Sequence, residues 1–122
     1  MDYKILIIDD EEIVCDGLSR VLEREGYPVD YTTDNESALN IIKEKEYDII
    51  LLDINMPVKS GLNLLPEIKA ISADSLIIMV TAYSDTEMAV KSMKAGAYDY
   101  FVKSSNYDEL LNKIKNALKS NV

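Results

Sequence analysis

The sequence predicts an α/β fold: a doubly wound, five-stranded parallel sheet in the order 2-1-3-4-5, flanked by five helices. Three observations predict it. Apolar strand-like runs alternate with helical patterns along the whole chain. The runs Ile5-Leu6-Ile7-Ile8 and Ile49-Ile50-Leu51-Leu52 are unbroken Ile and Leu, as expected of strands covered on both faces. Four runs end in residues that carry chemistry. Ile8 gives way to Asp9-Asp10-Glu11-Glu12, Leu52 to Asp53-Ile54-Asn55-Met56-Pro57, Val80 to Thr81-Ala82, and Val102 to Lys103.

The strands are expected over residues 3–8, 29–32, 49–52, 76–80 and 98–102. Between them, Val14, Leu18, Val21 and Leu22 form an apolar stripe at i, i+4, i+7 and i+8, the spacing of one helical face. Ala38, Ile41 and Ile42 mark the second helix, and Leu64, Leu65, Ile68 and Ile71 the third. Ala89, Val90 and Met93 mark the fourth, and Leu110, Leu111, Ile114, Ala117 and Leu118 the fifth. Gly26 and Pro28 close the first helix. Thr33 with Glu36, Ser84 with Glu87 and Asn106 with Glu109 have capping-box spacing, Asn standing in for Ser or Thr in the last. Pro66 should kink the third helix or delay its regular hydrogen bonding to about Leu65.

The 122 residues make one domain, with no linker or low-complexity tract. With 48% apolar residues the chain can bury a core. Cys15 is the single cysteine, so no internal disulfide forms, a reducing compartment fits, and a packed thiol is expected. No apolar run reaches membrane-span length, and the expected location is the cytoplasm, without membrane contact. The net charge of −9 repels phosphate backbones, so direct nucleic-acid binding is not expected.

Right-handed crossovers bring the carboxyl ends of all five strands to one edge, and the switch point lies between strands one and three. Asp9, Asp10 and Asp53 belong there. Two unit charges about 4 Å apart repel by roughly 4 kcal/mol at an effective dielectric of 20, so such a cluster must protonate, spread or take up a cation. Oxygen ligands suit Mg²⁺, and the chain has no histidine to build a zinc site. Asp53 is a candidate nucleophile toward phosphorus, with Thr81 and Lys103 as partners for phosphoryl oxygens. Each residue alone has an ordinary explanation. Asp9 or Asp10 could cap a helix, Asp53 shape a turn, Thr81 end a strand, Lys103 be a surface lysine and Tyr100 fill a strand. Their joint placement at the ends of the right strands is what argues for function.

Asp9-Asp10, Asp53-Ile54-Asn55-Met56-Pro57 with Gly61, Thr81-Ala82, Gly96-Ala97-Tyr98-Asp99-Tyr100 and Lys103 resemble the receiver domain of bacterial two-component response regulators. The resemblance covers essentially the whole chain, 1–122, as a single receiver of flavodoxin-like fold. It implies that Asp53 accepts a phosphoryl group from a histidine kinase or phosphotransfer protein. Mg²⁺ would be held by the side chains of Asp10 and Asp53, the backbone carbonyl of Asn55 and, through water, Asp9. Thr81 and Lys103 would hold phosphoryl oxygens, and Tyr100 would be the aromatic switch that follows Thr81. The implied output is a change in the face made by helix four, strand five and helix five. That face would act on an output domain, an effector or a second copy in a phosphorylation-dependent homodimer, in signal transduction that includes transcription regulation. The implied activity is regulatory, with catalysis limited to the domain's own phosphorylation and dephosphorylation. The stretch from Thr81 to Tyr100 also resembles receivers attached to nitrogen-regulation-type activators.

One position departs from the family. Ser104 stands where proline usually follows the lysine, and cis before a non-proline residue costs about 2.5–4 kcal/mol, so a trans bond or a strained cis bond is expected. Tyr83, two residues after Thr81, and Asn55, two after Asp53, should flank the path of an attacking water, with Tyr83 slowing hydrolysis. Three rival readings bear on the same residues. A phosphohydrolase of haloacid-dehalogenase type needs a second aspartate where Asn55 stands. A flavodoxin needs a hydroxyl- and glycine-rich phosphate loop where Asp9 to Glu12 stand. A pseudo-receiver, a binding module without phosphate chemistry, is argued against by the intact site residues and kept open by Ser104.

Overall fold

The structure, a computed structural model, describes residues 3–57, 59–82, 85–103 and 105–120. The chain order is β1 (Ile5–Ile8), α1 (Glu12–Arg24), β2 (Val29–Thr32), α2 (Asn35–Glu44), β3 (Ile49–Asp53), α3 (Gly61–Ile71), β4 (Leu76–Thr81), α4 (Thr86–Lys94), β5 (Asp99–Val102) and α5 (Tyr107–Ser120). The five strands are parallel and lie in the order β2-β1-β3-β4-β5, as the sequence predicts.

Every residue of β1 and β3 is buried, which explains their unbroken apolar character. Alternate residues serve opposite faces. Ile5 and Ile7 join Leu18, Leu22, Leu110 and Ile114 on the face covered by α1 and α5. Leu6 and Ile8 join Ala38, Ile42, Leu64 and Ile68 on the face covered by α2 and α3. Each such Ile or Leu contributes about 1.5–3 kcal/mol of burial, so the central strands carry much of the hydrophobic stabilisation and hold the carboxyl edge of the sheet still.

The ends of α1 and α4 are closed by glycines. Gly26 has φ 91° and Gly96 φ 110°, a region that L side chains avoid. The N–H groups of Gly26 and Tyr27 donate to the carbonyls of Glu23 and Leu22, and those of Gly96 and Ala97 to Met93 and Ser92. This double bond pattern satisfies carbonyls that the helix end leaves over.

Several expectations need correction. β1 and β5 begin later than residues 3 and 98, while β3 and β4 extend one residue further, to Asp53 and Thr81. The cap of α2 is Asp34 rather than Thr33, and its carboxylate accepts the Ser37 N–H. The cap of α4 is Asp85 rather than Ser84, accepting from Glu87 and Met88. A carboxylate satisfies the exposed N–H groups and also complements the positive end of the helix. At α5, Asn106 does act as expected, accepting the Asp108 N–H. The third helix is α-helical through Pro66, and its ladder opens with the Leu64 N–H on the Ser60 carbonyl, ahead of Leu65. Val90 (46% exposed) and Met93 (48%) face solvent, so the α4 stripe is not core. The buried residue of α4 is Ser92, whose hydroxyl donates to the Met88 carbonyl one turn back. Among the described residues no helix is long and apolar enough to cross a membrane.

Candidate functional site: an acidic crevice at the carboxyl edge

Strand register assembles the site. Ile8 pairs with Leu52, so the next residues along, Asp9 and Asp53, are neighbours. Asp53 pairs with Val80 and Thr81 with Val102, which puts Thr81 one step and Lys103 two steps further along the same rim. The chain leaves the strands under backbone control. The N–H of Ile54 donates to the Val80 carbonyl (2.9 Å), that of Lys103 to the Thr81 carbonyl (2.7 Å), and that of Gly61 to the Ile54 carbonyl (2.9 Å).

The side chains of Asp9, Asp10, Asp53 and Lys103 converge. Asp9, Asp10 and Asp53 each bring a carboxylate oxygen within 4.8 Å of the others. Asp9 and Asp53 are each only 2% exposed, while Asp10 opens toward solvent. Lys103 reaches in from the end of β5, its ammonium 2.8 Å from Asp9 Oδ2 and 3.6 Å from Asp53 Oδ1. Thr81 is 3% exposed, and its hydroxyl donates to Asn55 Oδ1 at 2.8 Å. The backbone N–H of Asn55 donates to Asp53 Oδ1 at 3.1 Å. Tyr100 is half-buried at the edge of the core, with its hydroxyl on the Asp85 carbonyl at 3.5 Å. Ser104 and Tyr83, to which the peptide-bond and hydrolysis expectations attach, lie outside the described residues.

The electrostatics follow from this packing. Burial, reinforced by the neighbouring Asp9 carboxylate, pushes the Asp53 carboxyl up to about 7; Lys103 and the Asn55 N–H pull the other way. Burial depresses the Lys103 ammonium, but the hydrogen bond to Asp9 and the charges of Asp53 and Asp9 outweigh it, leaving Lys103 above the ordinary lysine value. Among the described residues, three carboxyl groups share the crevice with the Lys103 ammonium.

The donor set fits a hard divalent cation. Mg²⁺ takes oxygen ligands at about 2.0–2.1 Å, so opposite ligand oxygens stand about 4.2 Å apart. Neighbouring ligand oxygens stand closer, about 2.9 Å apart, so the three carboxylates, within 4.8 Å of one another, would draw together around the ion. The two Asp9 oxygens are already engaged, Oδ2 by Lys103 and Oδ1 by the Glu11 N–H at 2.9 Å.

Two features were not legible in the sequence. Asp9 also anchors α1 from below, through its carbonyl, which accepts from the Cys15 thiol at 3.3 Å. The Asn55 side chain, exposed at the rim, is tied to Thr81. An asparagine two residues after an aspartate carries no signal that names this partner.

The family model of the response regulator receiver domain matches residues 5–115, and the chain belongs to that family. It is 37% identical over 114 residues to the transcriptional regulatory protein ZraR of Salmonella typhimurium, covering 93% of this chain and 26% of that protein. The chain thus spans about a quarter of the length of this curated relative. The response regulator TrrA of Thermotoga maritima, solved in complex with Mg²⁺–BeF, is 40% identical with a TM-score of 0.85, over 94% of this chain and 98% of that one. The beryllofluoride-activated NtrC4 receiver domain dimer is 36% identical with a TM-score of 0.91, over 98% of each chain. The chain is accordingly a receiver domain of two-component signalling, a regulatory fold rather than a member of a classical enzyme family.

Proposed function

We propose that residues 1–122 act as one phosphoacceptor receiver in which Asp53 is the residue phosphorylated, with Mg²⁺ required. The observation that carries this reading is Asp53 itself: a carboxylate 2% exposed at a strand end, with Asp9, Asp10 and Lys103 around it. Asp53 Oδ1 is held by the Asn55 N–H, which leaves Oδ2 to attack. That oxygen forms a bond to phosphorus as the bond from phosphorus to the donor's phosphorylated imidazole nitrogen breaks, and the nitrogen keeps the electron pair. Bound Mg²⁺ would neutralise the incoming phosphoryl oxygens, held by Asp10, Asp53 and the Asn55 carbonyl, and through water by Asp9. Lys103 moves from Asp9 toward the new dianion, whose higher charge density is the stronger acceptor. Thr81 contributes its hydroxyl, and Tyr100 follows it. Hydrolysis on the same site returns the carboxylate, so the domain's catalysis is confined to its own modification.

The partners follow from this reading. A histidine kinase or phosphotransfer protein supplies the phosphoryl group. The output surface is the face of α4, β5 and α5, where Val90, Met93 and Tyr107 are exposed. The activated dimer of the NtrC4 receiver supports a phosphorylation-dependent homodimer here, and the relative ZraR supports an output in transcription regulation. The experiment is incubation with a small phosphodonor and Mg²⁺, read by intact mass. A single phosphoryl adduct that disappears in Asp53→Ala or with chelator is expected; an adduct that survives Asp53→Ala would refute the assignment.

A further inference from the structure

Thr81 and Asn55 hold each other across the mouth of the crevice. The Thr81 hydroxyl donates to Asn55 Oδ1 at 2.8 Å, and the same residue's backbone N–H donates to Asp53 Oδ1 at 3.1 Å. Asn55 therefore grips the phosphoacceptor through its backbone and the hydroxyl through its side chain. A hydroxyl has one proton to donate. While that proton lies on Asn55 it does not lie on a phosphoryl oxygen. We propose that Asn55 is a positioning residue that latches Thr81 in the resting state and thereby raises the threshold for phosphoryl-driven switching.

Chemistry sets the direction of the competition. The amide oxygen of Asn55 is a neutral acceptor at an exposed position, and the bond to it is only half-buried. A phosphoryl oxygen is a charged acceptor, and hydrogen bonds to charged acceptors are about twice as strong. The latch thus yields when the dianion arrives but opposes the move while Asp53 is unmodified. The Lys103 N–H on the Thr81 carbonyl ties the two flanking strand ends together, so displacement of Thr81 is felt at Lys103 as well. Only the side chain of Asn55 is in play: the carbonyl assigned to the metal and the N–H on Asp53 survive truncation.

This inference rests on the phosphoacceptor reading, and its test separates the two. Fluoroberyllate is titrated into the full chain at saturating Mg²⁺, with binding followed by NMR amide shifts. Asn55→Ala is expected to bind the anion about two- to tenfold more tightly than the parent, the worth of one released neutral hydrogen bond. In a Thr81→Val background, which lacks the hydroxyl, the Asn55→Ala change is expected to have no effect. Equal or weaker binding by Asn55→Ala would overturn the latch, weaker binding assigning the amide to direct anion contact. The same gain in the Thr81→Val background would overturn it too, as an effect of access alone. A parent chain that binds no fluoroberyllate with Mg²⁺ present would bring down the phosphoacceptor reading together with the latch.

Discussion

Gly61 lies flat against the backbone of Asp53. A Cβ at position 61 would stand 2.0 Å from the Asp53 carbonyl oxygen and 2.8 Å from its carbonyl carbon. No side-chain rotation relieves that contact, because the obstacle is main chain. The first residue of α3 and the last of β3 are packed so closely that the helix start sets where Asp53 sits. Gly61→Ala should therefore lower stability by about 1–3 kcal/mol, the usual cost of overpacking, and shift Asp53 relative to Asp10. Thermal unfolding together with a Mg²⁺ titration checks this: both midpoint and metal affinity should fall.

Lys103 is the half-buried counter-charge of the buried Asp9. Removing one member of a fully buried pair costs about 3–5 kcal/mol. The Lys103 side chain keeps 16% of its exposure, so water relieves part of the loss and about 2 kcal/mol is expected. Lys103→Met should destabilise the metal-free protein in chemical denaturation, and Mg²⁺ should restore more stability to the variant than to the parent.

Asp53 makes stability depend on pH. Burial and the Asp9 charge hold its carboxyl protonated up to about 7 in the fold, against an ordinary aspartate value of 3.8. Between those values the native state binds more protons than the unfolded chain, so this group's contribution falls as pH rises through the window and is flat above it. In the absence of metal, Asp53→Asn should stabilise the protein at pH 8 and lose that advantage toward pH 4. Denaturation midpoints of the two proteins across this range test the sign.

Cys15 is fully buried, and burial, with the Asp9 charge, pushes its thiol up to about 12. The thiolate is the reactive form, so a thiol reagent at pH 8 should label the native protein only as fast as it opens. Labelling on mixing, without denaturant, would contradict the packing of α1.

The strands themselves and the placement of Asp9, Asp53, Thr81 and Lys103 at their ends were legible from simple periodicities, and the strand order from the common arrangement of five βα units. Strands buried on both faces read as Ile and Leu without interruption, and parallel strands deliver the residues that follow them to one edge. The orientation of α4 was not legible. An apolar count favours Val90 and Met93 over Ser92, yet Ser92 is buried because its hydroxyl finds the Met88 carbonyl on its own helix. The caps of α2 and α4 fell one residue later than capping-box spacing places them, since Asp34 and Asp85 compete for the position held on pattern by Thr33 and Ser84. The pairing of Asn55 with Thr81 and the preference of Lys103 for Asp9 over Asp53 are matters of side-chain reach across strands, which spacing along one strand does not encode.

The most direct test of the account is chemical trapping of the modified site. The protein is phosphorylated with a small phosphodonor and Mg²⁺, reduced with borohydride, which converts an aspartyl phosphate to homoserine, and mapped by peptide mass spectrometry. Homoserine at position 53, and at no other aspartate, is the result predicted. Conversion at Asp9 or Asp10 with position 53 intact would contradict it.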